Sequence, residues 1–320
     1  MLLLKPDDAV LFIDSRYTFQ AREEVSGIRV QTVAGGLLRA AAEATLRIRR
    51  SGRISLAHEP AHLTVAQKQA IEAVTKGRLR WVAAANLVEN LRAVKDPEEL
   101  ACMRQAADVI SDVFAEVLPI IRPGITELDL AAEIEYRMKR RGASGPSFET
   151  IVASGLRSAW AHARPTTKLL SKNELVVLDQ GAILRDYCSD MTRTVFLGRC
   201  PGKVRRMYRA VLDAQQAAKN AVRPGADAAA PDAAARSVLK KSGLARYFTH
   251  STGHGLGLEV HEPPRLGKGE KTILQEAMVV TVEPGVYIEG FGGIRIEDDV
   301  VVTSTGAHDL TSASRELLEL

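Results

Sequence analysis

A triplet that occurs twice constrains this chain more than any other feature. Arg122-Pro123-Gly124 recurs as Arg223-Pro224-Gly225, an offset of 101 residues. Apolar spacing predicts a long helix before each triplet, over Pro97–Ile121 and Val204–Val222, and a second helix after it. The second helices close near Gly142 and Gly243, again 101 apart, and glycine suits a left-handed C-terminal cap. Strand-rich segments follow: Ser147–Ala153, Glu174–Gly181 and Thr192–Gly198 in the first copy, Ala277–Val282 and Ile294–Val302 in the second. Most links between them are too short for helical crossovers, so the sheet is expected to be largely antiparallel with helices on one face. Two copies of this pattern predict an α+β domain of pseudo-twofold halves with a site between them.

The residues ahead of this region read differently. Ala9–Asp14, Ile54–Ala57 and Leu79–Ala83 have strand character, while Leu37–Arg50 and Val65–Val74 look helical. We expect a small α/β domain over 1–92 and a catalytic domain over 93–320. The first strand starts almost at Met1, which suggests a shortened N-terminal domain. Asp96-Pro97-Glu98-Glu99 is a strong helix start, and Leu100, Met103, Ala107, Ile110 and Phe114 then mark one buried face. Cys102 falls on that apolar stripe and is expected in the core.

Composition narrows the classes of function. With 46% hydrophobic and 26% charged residues, a folded domain is expected. No apolar run approaches the roughly 20 residues needed to cross a bilayer. The opening Met1–Pro6 is too short for a secretory signal, so a cytoplasmic protein without a membrane role is expected. Net charge is only +4, and aromatics make up 5%. The basic runs at 47–50 and 139–141 therefore read as solvated helix ends and not as a nucleic-acid surface. Cys102, Cys188 and Cys200 lack CxxC spacing, which argues against disulfides and a thiolate zinc site.

The chemistry concentrates in the second region. Asp179 ends the apolar run Leu175–Leu178, and Asp190 lies eleven residues on, just before another strand. A hairpin there would bring two carboxylates together, which is unfavourable unless a cation or proton intervenes. His250, His254 and His261 fall within twelve residues, interleaved with Gly253, Gly255 and Gly257. Glu283 and Glu297 sit at apolar strands. One imidazole and four carboxylates suit hard or borderline divalent metals such as Mn, Co, Fe or Zn.

These segments, with Asp179-Gln180-Gly181, Tyr187–Thr194, His250–Arg265, Val282–Gly285 and Gly293–Asp298, resemble the pita-bread metallopeptidases, specifically the Xaa-Pro dipeptidase and Xaa-Pro aminopeptidase branch. The resemblance spans about 90–320, and a weaker one covers the creatinase-like N-terminal domain. It implies a curved, largely antiparallel sheet and two divalent metal ions, with Mn the leading choice. Asp179 would bind one metal, His254 and Glu283 the other, and Asp190 and Glu297 would bridge both. A water or hydroxide between the metals would be the nucleophile, with Glu283 shuttling its proton to the leaving nitrogen. His261 would touch the scissile carbonyl and His162 the substrate. Arg295 would orient Glu297, and His250 would line or back the pocket. Arg265 is a candidate for the substrate carboxylate, and Phe148 and Tyr187 for the pocket wall. The implied substrates are short proline-containing peptides, and a homodimer is expected. The alternatives are a methionine-aminopeptidase-like exopeptidase, creatinase-like chemistry, or a non-catalytic binding protein. Asp186 stands where the family often has glycine, and Gln180 replaces a more usual small or apolar residue.

Overall fold

The computed structural model describes residues 1–320. The chain divides into two compact units, Met1–Leu87 and Val88–Leu320. The first unit opens with strand β1 (Leu2–Lys5) antiparallel to β2 (Asp8–Ile13), then helix α1 (Thr18–Glu24) and β3 (Arg29–Thr32), which runs parallel to β2. Helix α2 (Leu37–Arg47) packs its alanine face on this sheet through Ala41. Strand β4 (Ile54–His58), helix α3 (Val65–Thr75) and β5 (Leu79–Ala83) form a parallel crossover unit. Thr64 starts α3 with a capping box closed by Gln67, which satisfies amide donors the helix leaves open.

Helix α4 (Leu87–Ala93) leads into α5 (Pro97–Val117). Asp96 caps α5 by accepting from the amides of Glu98 (2.8 Å) and Glu99 (2.9 Å), and Glu99 returns to the Asp96 amide at 2.7 Å. The expected helix runs on to Ile121, but α5 ends at Val117 and a 3-10 turn covers Leu118–Ile120. Pro119, which has no N–H to donate, sits inside that turn. Met103, Ile110 and Phe114 are buried as their spacing requires, whereas Cys102 is only half-buried at the edge of the stripe.

Helix α6 (Glu127–Arg140) is followed by β6 (Gly145–Pro146), β7 (Ile151–Ser154), β8 (Glu174–Gln180), β9 (Ala182–Leu184), β10 (Tyr187–Cys188) and β11 (Met191–Leu197). The second copy begins with α7 (Gly202–Ala221) and α8 (Ala230–Lys241). Strands β12 (Gly253–Gly255), β13 (Glu262–Leu266), β14 (Val279–Val282), β15 (Gly285–Ile288), β16 (Gly292–Arg295), β17 (Asp298–Thr303) and β18 (Gly306–Asp309) complete it. In the first half β8 lies between β7 and β11, and in the second β14 lies between β12 and β17. Every strand pair in this unit is antiparallel.

The repeat is visible in hydrogen bonds as well as in topology. The Gly124 amide donates to Leu170 O (3.0 Å) and the Leu170 amide to Ile125 O (2.8 Å). Gly225, Leu274 and Ala226 make the matching pair at 2.9 Å each. Gly142 and Gly243 both have positive φ and end their helices, and the amide after each returns to the helix, Ala143 to Met138 O and Leu244 to Leu239 O. The curved surface is built from short ladders. β14 stops at Val282, because Pro284 cannot donate, and the chain resumes as the β15–β16 hairpin.

The two unusual residues near the first carboxylate have structural explanations. Arg185 and Asp186 both take positive φ (50° and 68°) and form the two-residue turn between β9 and β10, so Asp186 occupies the backbone state a glycine would. Gln180 is fully buried and donates through Nε2 to Ile110 O at 2.8 Å, tying β8 to α5.

Candidate metal centre and cavity

Asp179 lies one residue from the end of β8, opposite Thr192 on β11 and Ile151 on β7. Asp190 enters from the turn before β11, where its amide donates to Asp299 Oδ2 at 2.9 Å. His254 is the middle residue of β12. Its flanking glycines leave no room for a side chain: a Cβ on Gly253 would lie 2.0 Å from Thr281 O, and one on Gly255 2.3 Å from Pro263 O. Glu283 follows β14, with its amide on Thr252 O at 2.7 Å. Glu297 joins β16 to β17 and donates its amide to Thr192 O at 3.1 Å. Thus the first half supplies Asp179 and Asp190, and the second supplies His254, Glu283 and Glu297.

The side chains converge. Ligand atoms of Asp190, His254 and Glu297 all lie within 4.8 Å of one another. His254 Nε2 is 3.7 Å from both Asp190 Oδ2 and Glu283 Oε1. Its Nδ1 faces Gly255 O at 3.0 Å, and a carbonyl can only accept, so Nδ1 carries the proton and Nε2 offers a lone pair to the cluster. Asp179 Oδ1 and Asp190 Oδ1 are buried without any partner.

Burial, reinforced by neighbouring carboxylates, holds Asp190 and Glu297 far above the usual carboxylate range. Burial lifts Glu283 to about 8, and Arg295 opposes the rise. Burial also pushes His250 and His254 down to about 4, so both are neutral at pH 7. Four clustered acids, orphaned oxygens and a presented imidazole lone pair fit divalent cations of hard or borderline character.

Arg295 and Thr192 organise the acids. Arg295 Nη2 donates to Asp179 Oδ2 at 2.6 Å, and its Nε donates to Thr192 Oγ1 at 2.9 Å. The Thr192 hydroxyl in turn donates to Glu297 Oε2 at 2.6 Å. This corrects the expectation for Arg295, whose direct partner is Asp179 and which reaches Glu297 only through Thr192. Its Nη1 also donates to the Tyr287 hydroxyl at 2.6 Å, and that hydroxyl faces His250 Nε2 at 3.0 Å. His250 Nδ1 donates to Ser251 O at 2.8 Å, so the Tyr287 hydroxyl is the donor to Nε2.

These acids lie in a cavity of about 450 Å³. His162 and His261, both exposed to it, come from the first and second halves. The His261 ring meets the His254 ring edge-on at 4.4 Å between centroids. Phe148, Ile151 and Val260 supply apolar wall, and an exposed ion pair between Arg164 and Glu149 (3.0 Å) lies on the lining. Glu262, next to His261, is buried against Arg92 and Lys95.

Not every expected pocket residue reaches the cavity. The Tyr187 hydroxyl donates to Glu99 Oε1 at 2.8 Å, on α5 and away from the lining. Arg265 is an exposed residue of β13 outside the lining. His250 stands behind Glu283, with Nδ1 3.9 Å from Oε2. Thr192, Tyr287, Glu149 and Arg164 were not singled out by sequence. Only Thr192 carried a signal, through its place opposite Asp179 in a predicted hairpin.

Fold and site together define a metallo-exopeptidase of two pseudo-symmetric halves. The chain belongs to metallopeptidase family M24, whose profile matches residues 101–304, and the creatinase/prolidase N-terminal domain profile matches residues 1–94. It is 43% identical over 233 residues to a Xaa-Pro dipeptidase of Pyrococcus furiosus, covering 73% of this chain and 67% of that protein. An uncharacterized peptidase of Bacillus subtilis, YqhT, is 39% identical over 320 residues, covering 100% of this chain and 90% of the relative. Among solved structures, a Xaa-Pro dipeptidase from Bacillus anthracis superposes with a TM-score of 0.95 at 37% identity, covering 100% of this chain and 88% of that one. An X-Pro aminopeptidase from Thermotoga maritima does so with 0.91 at 35% identity, covering 100% and 90%.

Proposed function

We propose that the protein hydrolyses Xaa-Pro bonds in short peptides, using two divalent metal ions held by Asp179, Asp190, His254, Glu283 and Glu297. The observation that carries this reading is the buried cluster of acids with unpartnered oxygens, into which His254 presents a lone pair, opening on a cavity with two further histidines. Matches to Xaa-Pro dipeptidases in sequence and in structure support the bond assigned.

When bound, the metals supply Lewis acidity and bring a water's pKa towards neutrality. The protein's own groups do the rest. Glu283, a carboxylate when it holds a metal, can take a proton and pass it on. Its acceptor is the proline nitrogen, which has no N–H in the peptide and must gain a proton to leave. His261 can donate to the scissile carbonyl oxygen as charge develops there, and His162 can contact the substrate from the opposite half. Phe148, Ile151 and Val260 offer an apolar wall to the pyrrolidine ring. Arg295 and Thr192 hold Asp179 and Glu297 in register, and His250 backs Glu283.

Manganese is our choice of metal on the oxygen-rich donor set. We assign the chemistry to residues 93–320, place the enzyme in the cytoplasm, and expect a homodimer on the family resemblance. The test is a substrate panel on chelated and metal-restored protein: Xaa-Pro dipeptides, Xaa-Pro-Yaa peptides and Met-Ala peptides, each with Mn²⁺, Co²⁺ or Zn²⁺. Xaa-Pro cleavage should vanish on chelation and return with metal, Mn²⁺ restoring most. Cleavage indifferent to exhaustive chelation, or Met-Ala cut faster than every Xaa-Pro peptide, refutes the reading.

A further inference from the structure

His162 rides on a segment that belongs to no regular sheet. The chain leaves β7 at Ser154, makes a 3-10 turn over Gly155–Ala159, carries Trp160, Ala161, His162, Ala163 and Arg164, and returns at Thr166. Such a segment lacks a ladder to fix it, so something else must hold its two ends together. At the Thr166 foot the Leu128 amide donates to Thr166 O at 3.0 Å, and the side chains of both feet meet on Glu127, the first residue of α6, whose side chain is completely buried.

Each carboxylate oxygen serves one foot of the loop. Oε1 accepts from the Ser154 amide at 2.8 Å and the Ser154 hydroxyl at 2.9 Å. Oε2 accepts from the Thr166 amide at 3.1 Å and the Thr166 hydroxyl at 2.8 Å. Arg157 Nε, from within the loop, donates to Oε2 at 3.0 Å, and the far side of the same guanidinium donates to Arg164 O. At the crown, Arg295 Nη1 donates to Ala161 O at 3.1 Å, and the Ser158 hydroxyl accepts the Gly293 amide at 2.9 Å. The loop is thus tied at its feet by one buried acid and at its crown to the strand that carries Arg295.

We propose that Glu127 is a positioning residue for the substrate site: its carboxylate closes the 155–165 loop and thereby holds His162 at the cavity wall. The neutral amide of glutamine fills the same space. It has one acceptor oxygen, however, and its NH₂ would face donors at one foot. One end of the loop then loses its side-chain tie and is held more loosely, while the metal ligands, which lie on other segments, stay in place. The inference rests on reading His162 as a substrate contact.

The experiment is a double-mutant cycle on the metal-loaded protein with Glu127→Gln, His162→Ala and the pair, read as kcat and KM for a Xaa-Pro dipeptide. Glu127→Gln should lower kcat/KM about tenfold, mainly through KM, and should cost less than about twofold in the His162→Ala background. Hydrogen exchange should rise in 155–165 and stay unchanged in β14 and β17, with metal affinity unaltered. Additive losses, uniform loss of protection, or unchanged kinetics and exchange in Glu127→Gln would each overturn the proposal. If Glu127→Gln does not fold, Thr166→Val removes a single hydroxyl donor and faces the same criteria. Raised loop exchange in Glu127→Gln together with an inert His162→Ala would instead overturn the substrate reading of His162, so the two failures are distinguishable.

Discussion

Replacing Thr192 by valine removes one hydroxyl and almost nothing else, yet that hydroxyl joins two ionisable groups. Thr192 is completely buried. It donates to Glu297 at 2.6 Å and accepts from Arg295 at 2.9 Å. The bond from the charged Arg295 guanidinium contributes about 1.5–3 kcal/mol, and the bond to Glu297, which burial keeps neutral in the metal-free fold, about 0.5–1.5 kcal/mol. Valine has nearly the same shape, so little cavity cost is added. The net cost to the metal-free fold should therefore be about 2–4 kcal/mol. Metal affinity should fall about 10- to 100-fold, the usual effect of removing a group that orients a ligand. Urea unfolding of chelated protein reads the first quantity, and calorimetric titration with Mn²⁺ reads the second. Thr192→Ser keeps the hydroxyl and should retain affinity within about threefold, isolating the hydrogen bond from the lost methyl. A Thr192→Val protein that binds Mn²⁺ as the parent does would refute the argument, even if it were less stable.

The metal-free protein should also lose stability as pH rises from 6.5 to 8. Over that range Glu283 goes from almost fully to about half protonated when folded, with its pKa at about 8, but is ionised when unfolded. The unfolded state therefore binds fewer protons, and Glu283 alone lowers stability by about 1–2 kcal/mol, with Asp190 and Glu297, also raised, acting in the same direction. The buried neutral histidines, at about 4, act only on the acid side, where their contribution is lost as pH falls from 6.5 through 4. Urea midpoints of chelated protein that increase between pH 6.5 and 8 would contradict this. Tyr187→Phe removes only the bond to Glu99, so KM should stay within about twofold while stability falls by about 1 kcal/mol. A large rise in KM would return Tyr187 to the substrate pocket.

Much of this architecture was legible because it is local. The Arg-Pro-Gly triplets, the closing glycines and the Asp96 cap act within a few residues, so spacing alone located two matching halves. The acids were legible because Asp179, Glu283 and Glu297 sit at apolar strands and Asp190 lies just before one, and the histidines because three fall within twelve residues among glycines. What escaped depends on partners far apart in sequence. Glu127 reads as one more acid in a helix's first turn, and nothing nearby says that residues 154 and 166 will fold onto it. Tyr287 looks like a strand aromatic until His250 and Arg295 close around its hydroxyl. Tyr187 misled for the opposite reason. It is only three residues from Asp190, but β10 is a two-residue strand packed on α5, and the side chain turns to that helix.

The glycines around His254 bear on how such a chain should be recognised. The spaces beside Gly253 and Gly255 are closed by the backbone oxygens of Thr281 and Pro263, on strands that would stand there whether or not any metal ever bound. Packing therefore dictates those two letters, and chemistry dictates the imidazole between them. A descendant that exchanged His254 for another residue could keep both glycines, fold alike and hydrolyse nothing. In this stretch the glycines testify to shared descent of shape, and His254 alone testifies to retained chemistry.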